Sequence, residues 1–525
     1  MRMTFLGHVG FLLETRGGSI LCDPWFTPAY FGSWFPFPRN DTLDSATLST
    51  PEYLYISHLH RDHFDPDWLA RHVDKSTQVL LPAFGVPFLE RELRALGFER
   101  FVHTRQGEPV DLDGCTVTIV ALTQPADGPL GDSFIVVDDD AARVLNQNDA
   151  RPGHPELLRG LGPFDAQIVQ FSGAIWYPIT YDFPPELKAL SGRDKRVNEM
   201  SRARKYIEWV GAAQVFPCAG PPAFLDDDLF AMNDFDRDPA NIFPDQTVFL
   251  DVLAAAGVDS GELLVPGTVV ELDGGECKIT QPVPENQLRR PFMNKRVYLE
   301  EYRCDWAAWL AHERAEWSHQ RCDLARALAS WLEPLMQKAP ITSAGIAGNV
   351  VIDVGDPDAN VCIDFVESQV RVWRREPYVY KFDVDRRLVE SLIERHIEDW
   401  VNSLFLSCRF VGHRPDEEGF NEYVVSFFKA LSPERIAYVE RCRRERRRVD
   451  EFFERDGWRV ERWCPHREAD LTHFGEICDG VLTCGLHHWQ FDLDTGKCLT
   501  SSDHDIRSER IEPENVRRSS SSPAD

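Results

Sequence analysis

The chain has 525 residues and carries 57 basic against 85 acidic side chains, for a formal charge of -28. This length predicts about three or four domains. An acidic field repels phosphate backbones and anionic lipid surfaces, so we expect no nucleic acid and no membrane among its partners. No stretch approaches the roughly 20 apolar residues that cross a bilayer, and the first residues lack the apolar run of a signal peptide. We therefore expect a cytoplasmic protein, and its 13 cysteines, an odd number in a reducing compartment, argue against a disulfide framework.

The pattern of the sequence changes along the chain. Residues 1–250 contain short apolar runs of strand length separated by helical patterns, which predicts an α/β domain with layered sheets. Residues 251–445 carry tryptophan and leucine at helical spacing around strand-like patches, so we expect an α+β middle domain. Residues 446–512 alternate strands and turns, which is typical of a small all-β domain. Residues 513–525, rich in serine, predict a disordered tail.

Two short loops in the all-β region each combine a cysteine with a histidine. Cys464 and His466 form a C-x-H motif, and Cys484 and His487 form a C-x-x-H motif after seventeen intervening residues. A Rieske [2Fe–2S] cluster needs two thiolates on one iron and two imidazoles on the other, and each loop supplies one of each. Zinc is the alternative because it also accepts Cys and His ligands, but zinc fingers normally group the two types separately. We therefore predict that these four residues hold a Rieske cluster.

A second set of metal-binding side chains follows a predicted strand in the first domain. Residues 58–63 spell H-x-H-x-D-H and open a predicted helix at Asp65-Pro66. In extended backbone His58 and His60 point the same way, so both can bind one ion. Asp62 and His63 then turn toward a second position nearby.

The H-x-H-x-D-H loop resembles the first metal loop of the metallo-β-lactamase fold, and the resemblance covers residues 1–250. His8 and the Asp23-Pro24-Trp25 stretch also match the lactonase-like branch of this fold. The resemblance implies a four-layer αββα sandwich with a bridging carboxylate after a later strand, where Asp149 is the matching acid. The metal ligands predicted on this basis are His58, His60, Asp62, His63 and Asp149.

The sequence departs from hydrolases of this fold at two places. Their third histidine, before the strand at 133–137, is replaced by residues 122–125 (LTQP), and their final histidine by residues 216–222 (FPCAGPP). Missing ligands leave open positions on the metal, which suits non-haem Fe(II), an ion that must bind both O₂ and substrate. Gln124, His154 or Cys218 could instead fill the gaps.

The two metal motifs together favour an oxygenase. A Rieske cluster transfers one electron and performs no bond chemistry, and hydrolysis has no use for electrons, whereas reductive activation of O₂ at iron does. We expect one or two non-haem irons rather than zinc, with Asp62 and His63 as catalytic residues or ligands of a second iron. The expected partners are a small-molecule substrate, O₂ and an external reductase or ferredoxin-type electron donor. The alternatives are a metal hydrolase with an accessory Rieske domain and an electron carrier or binding protein.

Much of the chain resembles the CMP-N-acetylneuraminate hydroxylase type, which joins a Rieske domain to a metallo-β-lactamase-like domain. Besides the metal loop, the similar stretches are residues 146–149, 216–225, 242–246 and 400–403. In that type the Rieske domain comes first, whereas here it comes last. No motif in this sequence indicates a pocket for CMP or sialic acid, so we do not carry that substrate over. Residues 286–445 also resemble the sterol-carrier-like domains appended to some enzymes of this fold.

Overall fold

The computed structural model describes residues 1–123, 131–415, 419–445, 450–501 and 504–511. Gln124 and the predicted tail at 513–525 lie outside the described residues. None of the helices in the described part of the chain is long and apolar enough to cross a membrane.

The described residues of the first domain form two large sheets and five α-helices. Its strands are β1 (Arg2–Gly7), β2 (Gly10–Thr15), β3 (Gly18–Cys22), β4 (Tyr53–Tyr55), β5 (Gln78–Leu81), β6 (Phe101–His103), β7 (Pro109–Asp111), β8 (Thr116–Leu122), β9 (Asp132–Asp138), β10 (Arg143–Asn148), β11 (Ala166–Gln170), β12 (Gln214–Cys218), β13 (Val269–Asp273) and β14 (Glu276–Thr280). Its helices are α1 (Pro66–His72), α2 (Phe88–Ala95), α3 (Pro155–Leu161), α4 (Pro185–Val210) and α5 (Gln246–Ala255). The sheet orders are β14-β13-β1-β2-β3-β4-β5-β6 and β12-β11-β10-β9-β8-β7.

The apolar faces of the two sheets pack against each other. Phe5 and Phe11 of the first sheet share a buried core with Ile135 and Val144 of the second. Helices α1 and α2 cover the outer face of the first sheet, and α4 and α5 cover the outer face of the second. Each sheet therefore has one face against the other sheet and one face under helices, which gives four layers. The predicted αββα sandwich is confirmed.

The first sheet continues beyond residue 250. Strand β13 pairs antiparallel with β1 through Met3 and Val270, and β14 adds the edge strand. Two strands of the first sheet thus lie in the region that we expected to begin the middle domain. We propose that the first domain ends near Thr280.

The middle region carries eight α-helices, one π-helix (Val401–Phe405) and five strands among the described residues. Its helices are α6 (Glu285–Leu288), α7 (Arg290–Met293), α8 (Lys295–Ala315), α9 (Leu324–Met336), α10 (Pro340–Ile346), α11 (Arg386–Glu394), α12 (Glu422–Phe428) and α13 (Pro433–Glu445). Its strands are β15 (Asn349–Asp353), β16 (Val361–Asp364), β17 (Gln369–Val372), β18 (Tyr380–Val384) and β19 (Phe410–His413), in the order β17-β16-β15-β18-β19. The α+β character expected of this region is confirmed.

The C-terminal region is built from two three-stranded antiparallel sheets. Its elements are β20 (Phe452–Arg455), β21 (Trp458–Glu461), α14 (Leu471–Phe474), β22 (Gly475–Cys478), β23 (Val481–Cys484), β24 (Gln490–Asp492) and β25 (Ser508–Arg510). It packs on α4, where the rings of Trp209 and Phe474 lie 4.9 Å apart and Arg202 Nη1 donates to the Leu486 carbonyl at 3.3 Å. This contact holds the Cys/His loops against the first domain.

Candidate metal centres and the cavity between them

The H-x-H-x-D-H loop lies at the carboxyl end of β4. Strands β3 and β4 run parallel and side by side, so the residues that follow them meet at one edge of the sheet. Asp65 ends the loop by capping α1, accepting from the Trp68 amide at 2.9 Å. The helix predicted at Asp65-Pro66 is therefore confirmed, and its cap fixes where the loop turns.

The first candidate ligand set consists of His58, His60 and Asp149. One ligand atom of each lies within 4.8 Å of the others, and His58 Nε2 is 2.7 Å from His60 Nδ1. Asp149 directly follows β10 of the second sheet, so the two sheets of the sandwich each contribute to this set. Two imidazoles and a carboxylate form a plausible site for a first-row transition metal.

The second candidate set consists of His8, Asp62 and His63, with ligand atoms again within 4.8 Å of one another. His8 Nε2 lies 3.1 Å from Asp62 Oδ2. His63 Nε2 lies 3.5 Å from Oδ1 of Asp149, a member of the first set, so the two sets adjoin. Both of these His63 and Asp149 atoms are buried without a well-aligned hydrogen bond in the described part of the chain, and a metal ion would satisfy them.

Buried polar groups orient the histidines. Asp23 accepts from the Ser57 amide at 2.7 Å and from the Ser57 hydroxyl at 2.6 Å, and it lies 3.0 Å from His63 Nδ1. The Ser57 hydroxyl also lies 2.9 Å from His58 Nδ1. With their Nδ1 atoms occupied, both rings present Nε2 to the candidate metal positions, as metal-binding histidines usually do. Tyr30 donates to Asp62 Oδ1 at 2.6 Å and fixes that carboxylate.

The protonation states suit metal ligands. Burial lowers the pKa of His58 to about 3 and the pKa of His60 to about 4. Burial opposes ionisation of Asp62 and Asp149, but the facing histidines lower the pKa of both carboxyls well below the ordinary value. Neutral imidazoles and ionised carboxylates are the forms that bind metals. His63 is the exception: burial disfavours its charged form, yet Asp149 and Asp23 raise its pKa.

The structure brings together all five residues predicted as metal ligands, and their ligand role stays a prediction. It also adds two residues that sequence reasoning did not assign. His8 stands in the second set, and Asp132 Oδ1 lies 3.8 Å from His58 Nε2. Asp132 is the first residue of β9, the strand that follows the third histidine in hydrolases of this fold, and this position was the available signal.

The residues considered as replacements for the missing histidine ligands are not among the candidate sets in the described part of the chain. Cys218 belongs to the core between the sheets. His154 is exposed, and its ring lies 4.7 Å from that of Trp463.

The two Cys/His loops converge in the C-terminal region. Cys464 and Cys484 are buried, and the Cys464 thiol donates to the Cys484 sulfur, which lowers the pKa of Cys484. The rings of His466 and His487 lie 4.9 Å apart. Backbone amides of residues 466–467 and 486–487 also donate to the two sulfurs, which favours thiolates.

This arrangement fits a [2Fe–2S] cluster. Nδ1 of His487 is buried and has no hydrogen-bond partner in the described part of the chain, as expected of an atom that binds iron. Its Nε2 lies 3.2 Å from Arg467, and the ring of His466 stacks on Trp489 at 4.0 Å. The assignment of Cys464, His466, Cys484 and His487 as ligands remains a prediction that this geometry supports.

One cavity of about 610 Å³ connects the two candidate centres. His60, Asp149 and Asp132 line it on the side of the first domain, and His466 and His487 line it on the side of the C-terminal region. Its volume lies within the range of about 300–1,000 Å³ that is usual for small-molecule sites.

Three protein families match separate parts of the chain. The beta-lactamase superfamily domain matches residues 2–135, the Rv3818-like, SCP2-like domain matches residues 324–445, and the Rieske [2Fe-2S] domain matches residues 454–507. These matches confirm the metallo-β-lactamase-like and Rieske regions and the sterol-carrier-like resemblance between them. The molecule is thus a metallo-β-lactamase-fold protein with a C-terminal Rieske domain.

Relatives of the same length share this organisation. The chain is 44% identical over 526 residues to a provisionally named Rieske 2Fe-2S iron-sulfur protein of Mycolicibacterium smegmatis, covering 97% of this chain and 100% of the relative. It is also 44% identical over 522 residues to the one designated Rv3818 of Mycobacterium tuberculosis, with the same coverage. The chain belongs to this family of Rieske 2Fe-2S iron-sulfur proteins.

Solved structures resemble only part of the chain. CmlA, a diiron β-hydroxylase from Streptomyces venezuelae, is 18% identical with a TM-score of 0.33, covering 53% of this chain and 54% of that one. A similarity this slight supports no inference about activity.

Proposed function

We propose that the protein is an iron-dependent oxygenase in which the Rieske domain relays electrons to a non-haem iron site in the first domain. The observation that carries the proposal is the shared cavity. His60 and Asp149 line one side of it and His466 and His487 the other, within a single chain. A metal hydrolase has no need of an electron-transfer domain at its substrate cavity.

The proposed roles follow from the donor sets. His58, His60 and Asp149 would hold one iron, and Asp62, His63 and His8 a second, since imidazole and carboxylate ligands suit non-haem iron. When bound, iron would supply O₂ activation, and the cluster would supply the electrons.

The polar neighbours of Asp62 refine its role. Tyr30 donates to one carboxylate oxygen at 2.6 Å, and His8 Nε2 lies 3.1 Å from the other. Burial and the adjacent carboxylate raise the pKa of Tyr30 well above its ordinary value, so its hydroxyl stays protonated and keeps donating. A carboxylate held at both oxygens is better suited to binding a metal than to moving protons, so we favour Asp62 as a ligand rather than as an acid–base catalyst.

A metal hydrolase is the second candidate, and one observation favours it. His8 completes a second three-residue set, so the ligand shortage that argued for open iron positions is smaller than the sequence indicated. Two adjacent sets also suit a dinuclear hydrolytic site.

Metal analysis and isotope labelling separate the two candidates. The oxygenase proposal expects iron clearly above two atoms per chain with acid-labile sulfide, and O₂ consumption driven by a reductant. Product formed under ¹⁸O₂ should carry the label, and product formed in H₂¹⁸O should not. Two irons together with two zincs, and anaerobic turnover with oxygen from water, would establish the hydrolase instead.

A further inference from the structure

One wall of the cavity concentrates positive charge. Lys195 Nζ lies 3.2 Å from Glu199, Arg151 Nη2 lies 3.5 Å from the same carboxylate, and Arg202 also pairs with it. Lys195, Glu199 and Arg202 all project from α4, and Arg151 comes from the segment after β10. Three cations therefore share one carboxylate, and all four side chains line the cavity.

The other carboxylates of the cavity do not balance this wall. Asp62, Asp132 and Asp149 also line the cavity, and all three face the candidate metal positions. Glu422 accepts from Arg443 and lies 2.9 Å from His504. Asp194 is exposed and lies near Arg193, at 3.8 Å. A local surplus of positive charge thus remains inside a protein whose formal charge is -28.

This surplus is buried, which makes it costly without a counter-ion. The side chains of Lys195 and Arg151 are 21% and 22% exposed, and that of Arg202 only 3%. Withdrawing unpaired charge from water is strongly unfavourable, and an anion in the cavity would offset that cost. His488 lines the same cavity, and its buried Nε2 has no hydrogen-bond partner in the described part of the chain, so it offers a further polar contact.

We propose that Lys195, Arg151 and Arg202 form a subsite for an oxyanion, the carboxylate or phosphate group of the substrate. Lysine and arginine bind such groups through charge-assisted hydrogen bonds. The inference rests on the proposed function in taking this anion to be part of the oxidised molecule.

The subsite lies between the two centres. Arg151 is two residues beyond Asp149, and Arg202 donates to the carbonyl of Leu486, the neighbour of His487. A substrate anchored here by its anionic end extends along the cavity, where its remaining atoms can approach the candidate metal ligands.

The test is equilibrium binding to the holoprotein, which needs no turnover. Inorganic phosphate and, in parallel, sodium acetate are titrated at low ionic strength by calorimetry, and the stronger binder indicates phosphate or carboxylate as the native group. Lys195→Gln should weaken binding about tenfold or more, because it removes a charge-assisted hydrogen bond to the anion. Lys195→Arg should restore it. Arg204→Gln, which removes one charge from α4 outside the cavity lining, is the matched control.

Two further measurements distinguish the subsite from the metal centre and from a loss of folding. The His58→Ala/His60→Ala variant should bind phosphate like the parent, because the subsite is separate from the metal ligands. Visible absorption of the cluster reports whether Lys195→Gln is folded, and Arg151→Gln provides a second variant if it is not. Unchanged binding in both subsite variants, binding of neither anion, or loss of binding only in the histidine variant would overturn the subsite. If the anion binds as expected but the product carries no label from ¹⁸O₂, the oxygenase proposal is overturned and the subsite proposal is not.

Discussion

The buried carboxylate of Asp23 tests whether the candidate metal centre is built as the structure indicates. Asp23 is fully buried and joins the Ser57 amide and hydroxyl to His63 Nδ1. Asp23→Asn keeps the shape but removes the charge and leaves an amide NH₂ facing other donors. Each lost charge-assisted hydrogen bond is worth about 1.5–3 kcal/mol. Loss of such a partner behind a metal-binding histidine typically lowers metal affinity about 10–100-fold, or about 1.4–2.8 kcal/mol.

The measurement is Fe(II) or Zn(II) retention against a chelator of known affinity, with cluster absorption as an internal reference. Asp139→Asn is the matched control, because Asp139 is also a buried carboxylate but accepts from the amides of Ala141 and Ala142 in the turn between β9 and β10, at the other end of these strands from Asp132 and Asp149. It should lower the melting temperature without changing metal retention. Equal metal retention in the parent and Asp23→Asn would refute the proposed orientation of His63.

Three other outcomes are expected. Cys484→Ser should abolish the visible absorption and the rhombic reduced-state EPR signal while the first-domain metal is retained; a surviving signal would refute the cluster assignment. His58→Ala/His60→Ala should lose that metal and product formation with the cluster intact, and unchanged metal content would move the site elsewhere. Burial opposes ionisation of Asp226, but its arginine partners lower the pKa of this carboxyl. Its stabilising contribution is therefore fully present above the unfolded pKa of about 3.9, and it is lost progressively as pH falls from there through the lower pKa of the folded state. Asp226→Asn should lower the free energy of unfolding by about 3–5 kcal/mol at pH 7, because buried Arg409 loses its partner. In urea melts, this difference between parent and variant should shrink toward pH 3. A difference that does not depend on pH would contradict the role given to this ion pair.

The metal motifs could be predicted from the sequence because the ligand residues of each loop lie close together along the chain. The H-x-H-x-D-H loop needs only an extended strand end followed by a turn to bring its ligands together, and the capping of α1 by Asp65 supplies that turn. Each Cys/His loop is likewise contiguous in the sequence, and the two loops together supply all four predicted cluster ligands. The order of strands and helices over residues 1–250 followed from hydrophobic periodicity, which reports the layers of a fold without reporting which strands are neighbours.

The parts that sequence reasoning missed depend on contacts between distant residues. His8 reaches Asp62 because β1 lies in the same sheet as β4, and Val270 joins that sheet by pairing with Met3. Neither pairing has a local signature, so sequence analysis does not assign His8 as a ligand or place β13 in the first sheet.

The sequence by itself determined the two metal motifs, the α/β class and the Rieske domain, since each depends on residue types at short, regular spacing. The four-layer arrangement was implied by the resemblance to the metallo-β-lactamase fold. Only the tertiary structure decided that both motifs line one cavity. It also decided that three cations of the cavity wall pair with the Glu199 carboxylate, namely Lys195, Arg151 and Arg202. These features arise where α4 packs against the C-terminal region, because that contact brings together residues that lie far apart in the sequence.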